Sequence, residues 1–206
     1  MTPLSPQKVA ISTAVSGVVL VGGKSSRMGR DKAALPVAGE TLLARQLRLL
    51  AEAGCGECLV SVARPETVLP HPLPTPTPRM IGDRFPEAGP LAGLERSLAL
   101  ARHDRLLVLA VDLPAMTADF LRTLLAGANS QCGVVPVIGD RFEPLAAVYP
   151  RQAHAEAELR LLRGELALQP FVRAGIAAGW LRPYVVSEAE GRLFTNWNRP
   201  EDLVSG

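Results

Sequence analysis

"GVVLVGGKSSRMGRDKAALPVAG", Gly17 to Gly39, governs how the rest of the chain is read. Gly23-Lys24-Ser25 resembles the tail of a phosphate-binding P-loop, which also needs a glycine five residues before the Gly-Lys pair so that the loop amides can wrap a phosphate. That position is Val18, and Gly17 misses it by one. Val18, Val19, Leu20 and Val21 instead form an apolar, largely β-branched run that predicts a buried strand. A dinucleotide fingerprint fails as well, because after Gly22 and Gly23 the next glycine is Gly29, not at G-x-G-x-x-G spacing. What remains is a strand opening into a loop with Lys24, Arg27, Arg30 and Lys32 set against the single acid Asp31, a loop suited to an anion.

Working outward, residues 1–15 lack a period and are expected to fray, so the organised domain is read as 16–206. Helical spacing of leucines predicts a helix over Glu40–Ala53 with Gly54 as its stop, and Leu59–Val62 reads as a second strand. The proline-rich stretch Arg64–Arg79 is a long surface loop rather than a domain linker or a proline-rich recognition motif. A short strand at Met80–Gly82 ends at Asp83, a helix follows over about Leu91–Ala101, and Leu106–Val111 is an apolar strand ending at Asp112. Later elements are expected at Ala118–Ala126 (helix), Gly133–Val137 and Leu145–Tyr149 (strands), and near Gln152–Leu162 and Pro170–Ala174 (helices). This β-α-β-β-α-β-α-β alternation predicts an α/β fold, a mostly parallel sheet with helices on both faces.

With 206 residues the chain suits one domain able to bury a core without staples. A formal charge of +2 gives no excess of base that would argue for nucleic acid or an anionic membrane. Cys55, Cys58 and Cys132 form an odd set without a secretory pattern, which suggests a reducing cytoplasm. The Cys55-x-x-Cys58 spacing lacks two further ligands for zinc, so part-buried thiols at a helix-to-strand junction are the favoured reading over a metal or redox site.

In open α/β sheets ligands bind beyond the carboxyl ends of the strands. The basic loop, Asp83 and Asp112 all follow strands and can face one crevice. Cations there would hold phosphate oxygens while a carboxylate holds the magnesium that bridges them. Each residue has a plainer alternative: Arg27 and Lys32 as solvated charges, Asp112 as a helix cap, and Gly22-Gly23 as a tight turn instead of a close approach to a nucleotide.

Leu20 to Lys32, "LVGGKSSRMGRDK", resembles the L-A-G-G-x-S-x-R-M-G-x-D-K signature of the molybdenum cofactor guanylyltransferase family. "GPLAG" at 89–93, "VDLP" at 111–114, "EPLAAVYP" at 143–150 and "FTNWNRPEDL" at 194–203 are similar to further stretches of that family, in the same order. The resemblance implies a single Rossmann-like, three-layer α/β/α domain. It implies attack by the terminal phosphate of molybdenum-loaded molybdopterin on the α-phosphate of GTP, with magnesium as cofactor and pyrophosphate released. By this resemblance Leu20, Val21 and Gly22 would line the guanine nucleotide, with Gly23 beside them. Arg27 and Lys32 would hold phosphates, Asp83 would help bind the nucleotide, Asp112 would bind magnesium and GTP, and Asn196 and Asn198 would lie near the pterin. It further implies transient contact with molybdopterin-synthesis or molybdoenzyme delivery proteins.

Two positions depart from the family pattern: Val21 replaces an alanine, and Ser61 replaces an asparagine that contacts nucleotide, with shorter reach. The Gly22-Gly23 pair is similar to guanylyltransferases, whereas cytidylyltransferases carry Ala-Gly. The rival readings are a cytidylyltransferase, a sugar- or polyol-phosphate nucleotidyltransferase, and a non-catalytic nucleotide-binding module.

Overall fold

The computed structural model describes residues 14–21 and 32–195, apart from 65, 75 and 86. The basic-loop residues Gly22, Gly23, Lys24, Arg27, Arg30 and Asp31, the C-terminal Asn196 and Asn198, and residues 1–13 of the proposed extension lie outside the described residues. Val15, just before the first strand, is already buried, and its carbonyl accepts the Gly56 amide.

The apolar run forms β1 (Ser16–Val21), buried along its whole length as a strand covered on both faces must be. A two-stranded hairpin, β2 (Pro36–Val37) and β3 (Glu40–Thr41), leads into α1 (Leu42–Glu52). Thr41 caps that helix, its hydroxyl accepting the Ala44 amide, and Gly54 ends it at φ +99°, a conformation that side chains disfavour. There follow β4 (Glu57–Val62), β5 (Arg79–Gly82), α2 (Pro90–Leu100), β6 (Arg105–Ala110), α3 (Ala118–Gly127) and β7 (Gly133–Ile138). The chain continues through β8 (Arg141–Phe142), β9 (Ala146–Pro150), α4 (Ala153–Leu162), α5 (Leu168–Ala177), β10 (Leu181–Val185) and α6 (Glu188–Gly191).

The main sheet runs β10-β7-β9-β6-β1-β4-β5, with β8 paired to β7. β5, β4, β1 and β6 are mutually parallel, β9 is inserted antiparallel between β6 and β7, and β10 is parallel to β7. Strand alternation splits the core into two layers. Val19 and Val21 pack with Leu43, Leu47, Phe120 and Leu124 of α1 and α3, whereas Val18 and Leu20 pack with Leu91, Leu94 and Leu98 of α2, with α4 and α5 alongside. The expected three-layer α/β/α architecture is therefore present.

Several features differ from the sequence expectations, and the short elements β2, β8 and α6 have no counterpart among the expected ones. The start of the expected first helix, Glu40 and Thr41, belongs to the hairpin. β10 has no strand signature because Pro183 interrupts it; it is an edge strand paired to β7 alone, where proline is tolerated. The proline-rich segment is a loop, but one with a structural duty: it makes the parallel crossover from β4 to β5 where a helix would ordinarily lie. Leu69 and Leu73 from that loop pack on the α1 side of the core.

Candidate active site

The carboxyl ends of β5, β4, β1 and β6 lie in register. Val21 pairs with Val62, and Val62 with Gly82, while Leu20 pairs with Ala110. The ladder extends one step further, with the Asp83 amide donating to the Val62 carbonyl at 3.1 Å and the Val111 amide to the Leu20 carbonyl at 3.4 Å. Asp83 and Asp112 thus leave the sheet at one level, three strand spacings apart, or about 14 Å. β1 is the switch point, with β4 and β5 to one side and β6 to the other, the place where an open α/β sheet forms its binding crevice.

At the β6 side, Lys32 Nζ donates to Asp112 Oδ2 at 3.0 Å, the two side chains being 14% and 27% exposed. This answers both plainer readings. Lys32 is not a solvated loop charge, and Asp112 caps no helix, because the N-cap of α3 is Thr117, whose hydroxyl accepts the Phe120 amide. Lys32 stands in a single 3-10 turn, Lys32–Ala34, whose Ala33 is buried, and the following Leu35 carbonyl accepts the Leu42 amide at the start of α1. The lysine is therefore tied to α1.

At the β5 side, Ser61 Oγ donates to Asp83 Oδ1 at 3.1 Å. Gly93 of α2 packs against both: a β-carbon there would stand 2.7 Å from Ser61 Oγ, 3.2 Å from Leu20 Cδ2 and 3.5 Å from Asp83 Oδ1. "GPLAG" is thus the helix face that lets α2 approach the end of β4. Leu20 belongs to this side, while the Val21 side chain is buried in the opposite, α1–α3 layer. The larger residue at position 21 consequently leaves the β5 side of the crevice untouched by its side chain.

Burial pushes the Asp83 carboxyl up to about 6; the Ser61 hydroxyl opposes the shift and the nearby Glu95 charge adds to it. Because the folded chain holds this proton more tightly than the unfolded chain, the group's stabilising contribution is full below the ordinary carboxyl pKa and is lost as pH rises through about 6. Wild type should therefore lose stability relative to Asp83→Asn between pH 4 and 7. The loss should be on the order of 1 kcal/mol once solvent screening of the half-exposed carboxyl is allowed for. Thermal unfolding across that range checks it, and a difference that stays flat with pH would remove the burial argument.

Two helix residues complete the β6 side, and neither belongs to a recognisable motif. Gln46, fully buried in α1, donates from Nε2 to the carbonyls of Leu113 (2.8 Å) and Val111 (3.4 Å), which flank Asp112. Arg45 donates to the carbonyls of Pro114 (2.9 Å) and Met116 (3.2 Å). Their one sequence signal is an amide set within a stripe of leucines, Leu42, Leu43, Leu47 and Leu50.

A cavity of about 380 Å³ lined by Asp104, Ser130, Gln131, Arg151 and Gln152 lies at the opposite, amino edge of β6. Its Arg151–Asp104 pair, at 3.0 Å, is too exposed to anchor a ligand strongly. Cys55 and Cys58 are part-buried at the α1–β4 junction, and burial raises both thiols, which disfavours the reactive thiolate.

The model of the MobA-like NTP transferase domain matches residues 17–178, which include every described residue of this crevice. The chain belongs to the MobA-like NTP transferase family. Among curated MobA-like relatives, the "Probable molybdenum cofactor guanylyltransferase" of Opitutus terrae is 44% identical, covering 94% of this chain and 95% of its own. The molybdenum cofactor guanylyltransferase of Xanthomonas euvesicatoria is 34% identical, covering 90% of each. Molybdopterin-guanine dinucleotide biosynthesis protein A from Archaeoglobus fulgidus shares the fold at TM-score 0.70 and 23% identity, covering 91% of this chain and 94% of its own. Rv0371c from Mycobacterium tuberculosis, solved in complex with manganese, also shares the fold, at TM-score 0.61 and 19% identity, covering 84% of this chain and 88% of its own. The two guanylyltransferase relatives thus match the chain over at least 90% of its length, and the two solved structures share its fold.

Proposed function

We propose that this chain is a molybdenum cofactor guanylyltransferase that transfers GMP from GTP to the terminal phosphate of molybdenum-loaded molybdopterin. The observation that carries the mechanism is the Lys32–Asp112 pair at 3.0 Å, set across the crevice from Ser61 and Asp83. A crevice of about 14 Å suits a nucleoside triphosphate lying across the ends of β4 and β1. Its nucleoside would face Leu20, Ser61 and Asp83, and its phosphates Lys32 and Asp112.

Among the described residues no three acidic, histidine or cysteine side chains cluster as a metal cage. One carboxylate beside a lysine is the donor set expected for magnesium, which keeps several waters and shares substrate phosphates. Asp112 would hold it, and when bound the ion neutralises charge on the triphosphate. Lys32 would bind a non-bridging phosphate oxygen, releasing Asp112 as it does so. An oxygen of the molybdopterin phosphate forms the new bond to Pα, the Pα–O–Pβ bond breaks, and pyrophosphate leaves with that electron pair. Little covalent help is needed from the protein, because positioning and charge neutralisation dominate this chemistry. Arg27, Gly22 and Gly23 are assigned to phosphate and base contact, and Asn196 and Asn198 to the pterin. Phe194 packs edge-to-face on Phe120 at 5.4 Å, in the first turn of α3, and so anchors the chain shortly before those asparagines.

The deciding experiment is pyrophosphate release from GTP and from CTP, each with magnesium and molybdate-loaded molybdopterin. Release with GTP alone is expected. Release with CTP instead would transfer the chain to the cytidylyl reaction, and release with neither would return it to the binding-module reading.

A smaller effect tests the nucleoside side. Gly93→Ala should rotate the Ser61 hydroxyl away from Asp83, because 2.7 Å is closer than any real β-carbon contact. Misaligning the Asp83 carboxyl, and with it one hydrogen bond to the nucleoside worth about 1 kcal/mol, should raise the KM for GTP about fivefold with kcat nearly unchanged. An unchanged KM would detach Ser61 and Asp83 from the nucleotide.

A further inference from the structure

The loop that presents Asp112 is held from outside by one helix. Gln46 grips the carbonyls on either side of the aspartate, and Arg45 grips two more downstream. The grip comes at an energetic cost, since Gln46 Oε1 is buried with no partner among the described residues. A buried acceptor left without a donor is destabilising, because it gives up its hydrogen bonds to water and regains none. Packing alone would be served better by leucine or methionine, which fit the stripe formed by Leu42, Leu43, Leu47 and Leu50. The fold therefore accepts a local penalty, and what it visibly gains is a backbone held on both sides of Asp112.

We propose that Gln46, supported by Arg45, is a positioning residue that sets the aim of Asp112 toward the metal–triphosphate. This rests on the guanylyltransferase reading with Asp112 as the metal ligand. The same helix fixes Lys32 through the Leu42–Leu35 hydrogen bond, so α1 holds both members of the charged pair. Groups that orient a ligand-bearing side chain without touching the metal typically affect metal affinity or activity 10–100-fold.

The test is Gln46→Met, which keeps length and apolar packing while removing both hydrogen bonds and the orphaned oxygen. Three quantities are read on the purified chain: thermal midpoint, magnesium dependence of pyrophosphate release from GTP, and Mn²⁺ binding by electron paramagnetic resonance with GTP present. The expected result is a midpoint equal to or above wild type, about tenfold weaker metal half-saturation and Mn²⁺ binding, and an unchanged KM for GTP at saturating metal. A purely structural glutamine would lower the midpoint and leave the metal dependence alone, and that outcome overturns the proposal. If Gln46→Met does not fold, Arg45→Met, at a half-buried position, is read in the same way. There a weaker metal dependence supports the proposal and a wild-type one overturns it. Failure of the parent reading looks different: wild type itself would release no pyrophosphate, while the Mn²⁺ comparison between wild type and variant still tests the grip on Asp112.

Discussion

Asp112→Ala should lower the rate of pyrophosphate release by on the order of a hundredfold or more while leaving the thermal midpoint close to wild type. The separation of effects follows from what Asp112 touches. Its side chain is part exposed, it caps no helix, and its partner is the Lys32 ammonium. A part-exposed pair of this kind is worth about 1 kcal/mol to folding at most. On the proposed mechanism the same carboxylate would face a metal and a triphosphate with far more charge. Mn²⁺ binding in the presence of GTP should weaken along with turnover. A variant within twofold of wild type would take Asp112 out of the site and with it the strand-end argument.

Lys32→Met should also cost about a hundredfold in kcat, the scale seen when one preorganised donor to developing negative charge is removed. Methionine retains most of the buried stem and deletes the ammonium, so the fold should survive. The two variants are expected to part on metal binding. Without GTP, Lys32 neutralises Asp112; removing it leaves the carboxylate free for a cation, so Mn²⁺ affinity in Lys32→Met should equal or exceed wild type as turnover falls. If Lys32→Met weakened Mn²⁺ binding as much as Asp112→Ala, the ammonium would be organising the loop and the phosphate role would fail. Normal kinetics would refute it outright.

Both residues are legible in the amino-acid sequence because they sit where local pattern and a general rule intersect. An apolar run marks a strand, and the residue that leaves its carboxyl end faces the crevice. Asp83 comes under the same rule, whereas Ser61, inside β4, and Gly93 are marked only by likeness to the family. Gln46 and Arg45 are not visible in this way. A glutamine in a leucine stripe announces that something polar is buried nearby, but its partners lie more than sixty residues downstream, and sequence spacing carries no such distance.

By itself, then, the sequence determined the longer elements from β1 to α5, the α/β class, the strand ends that carry charge, and, through the signature at 20–32, the family. Local steric preference and hydrophobic period act over a few residues, so they are written into any short window of the chain. Tertiary structure alone decided that β9 enters antiparallel beside β6 and that β10 joins as an edge despite Pro183. It alone paired Lys32 with Asp112 across 80 positions and put one amide of α1 on both sides of that aspartate. Those are choices among neighbours. They are made by burying both faces of one sheet and satisfying its carbonyls at the same time, a condition that no local segment contains.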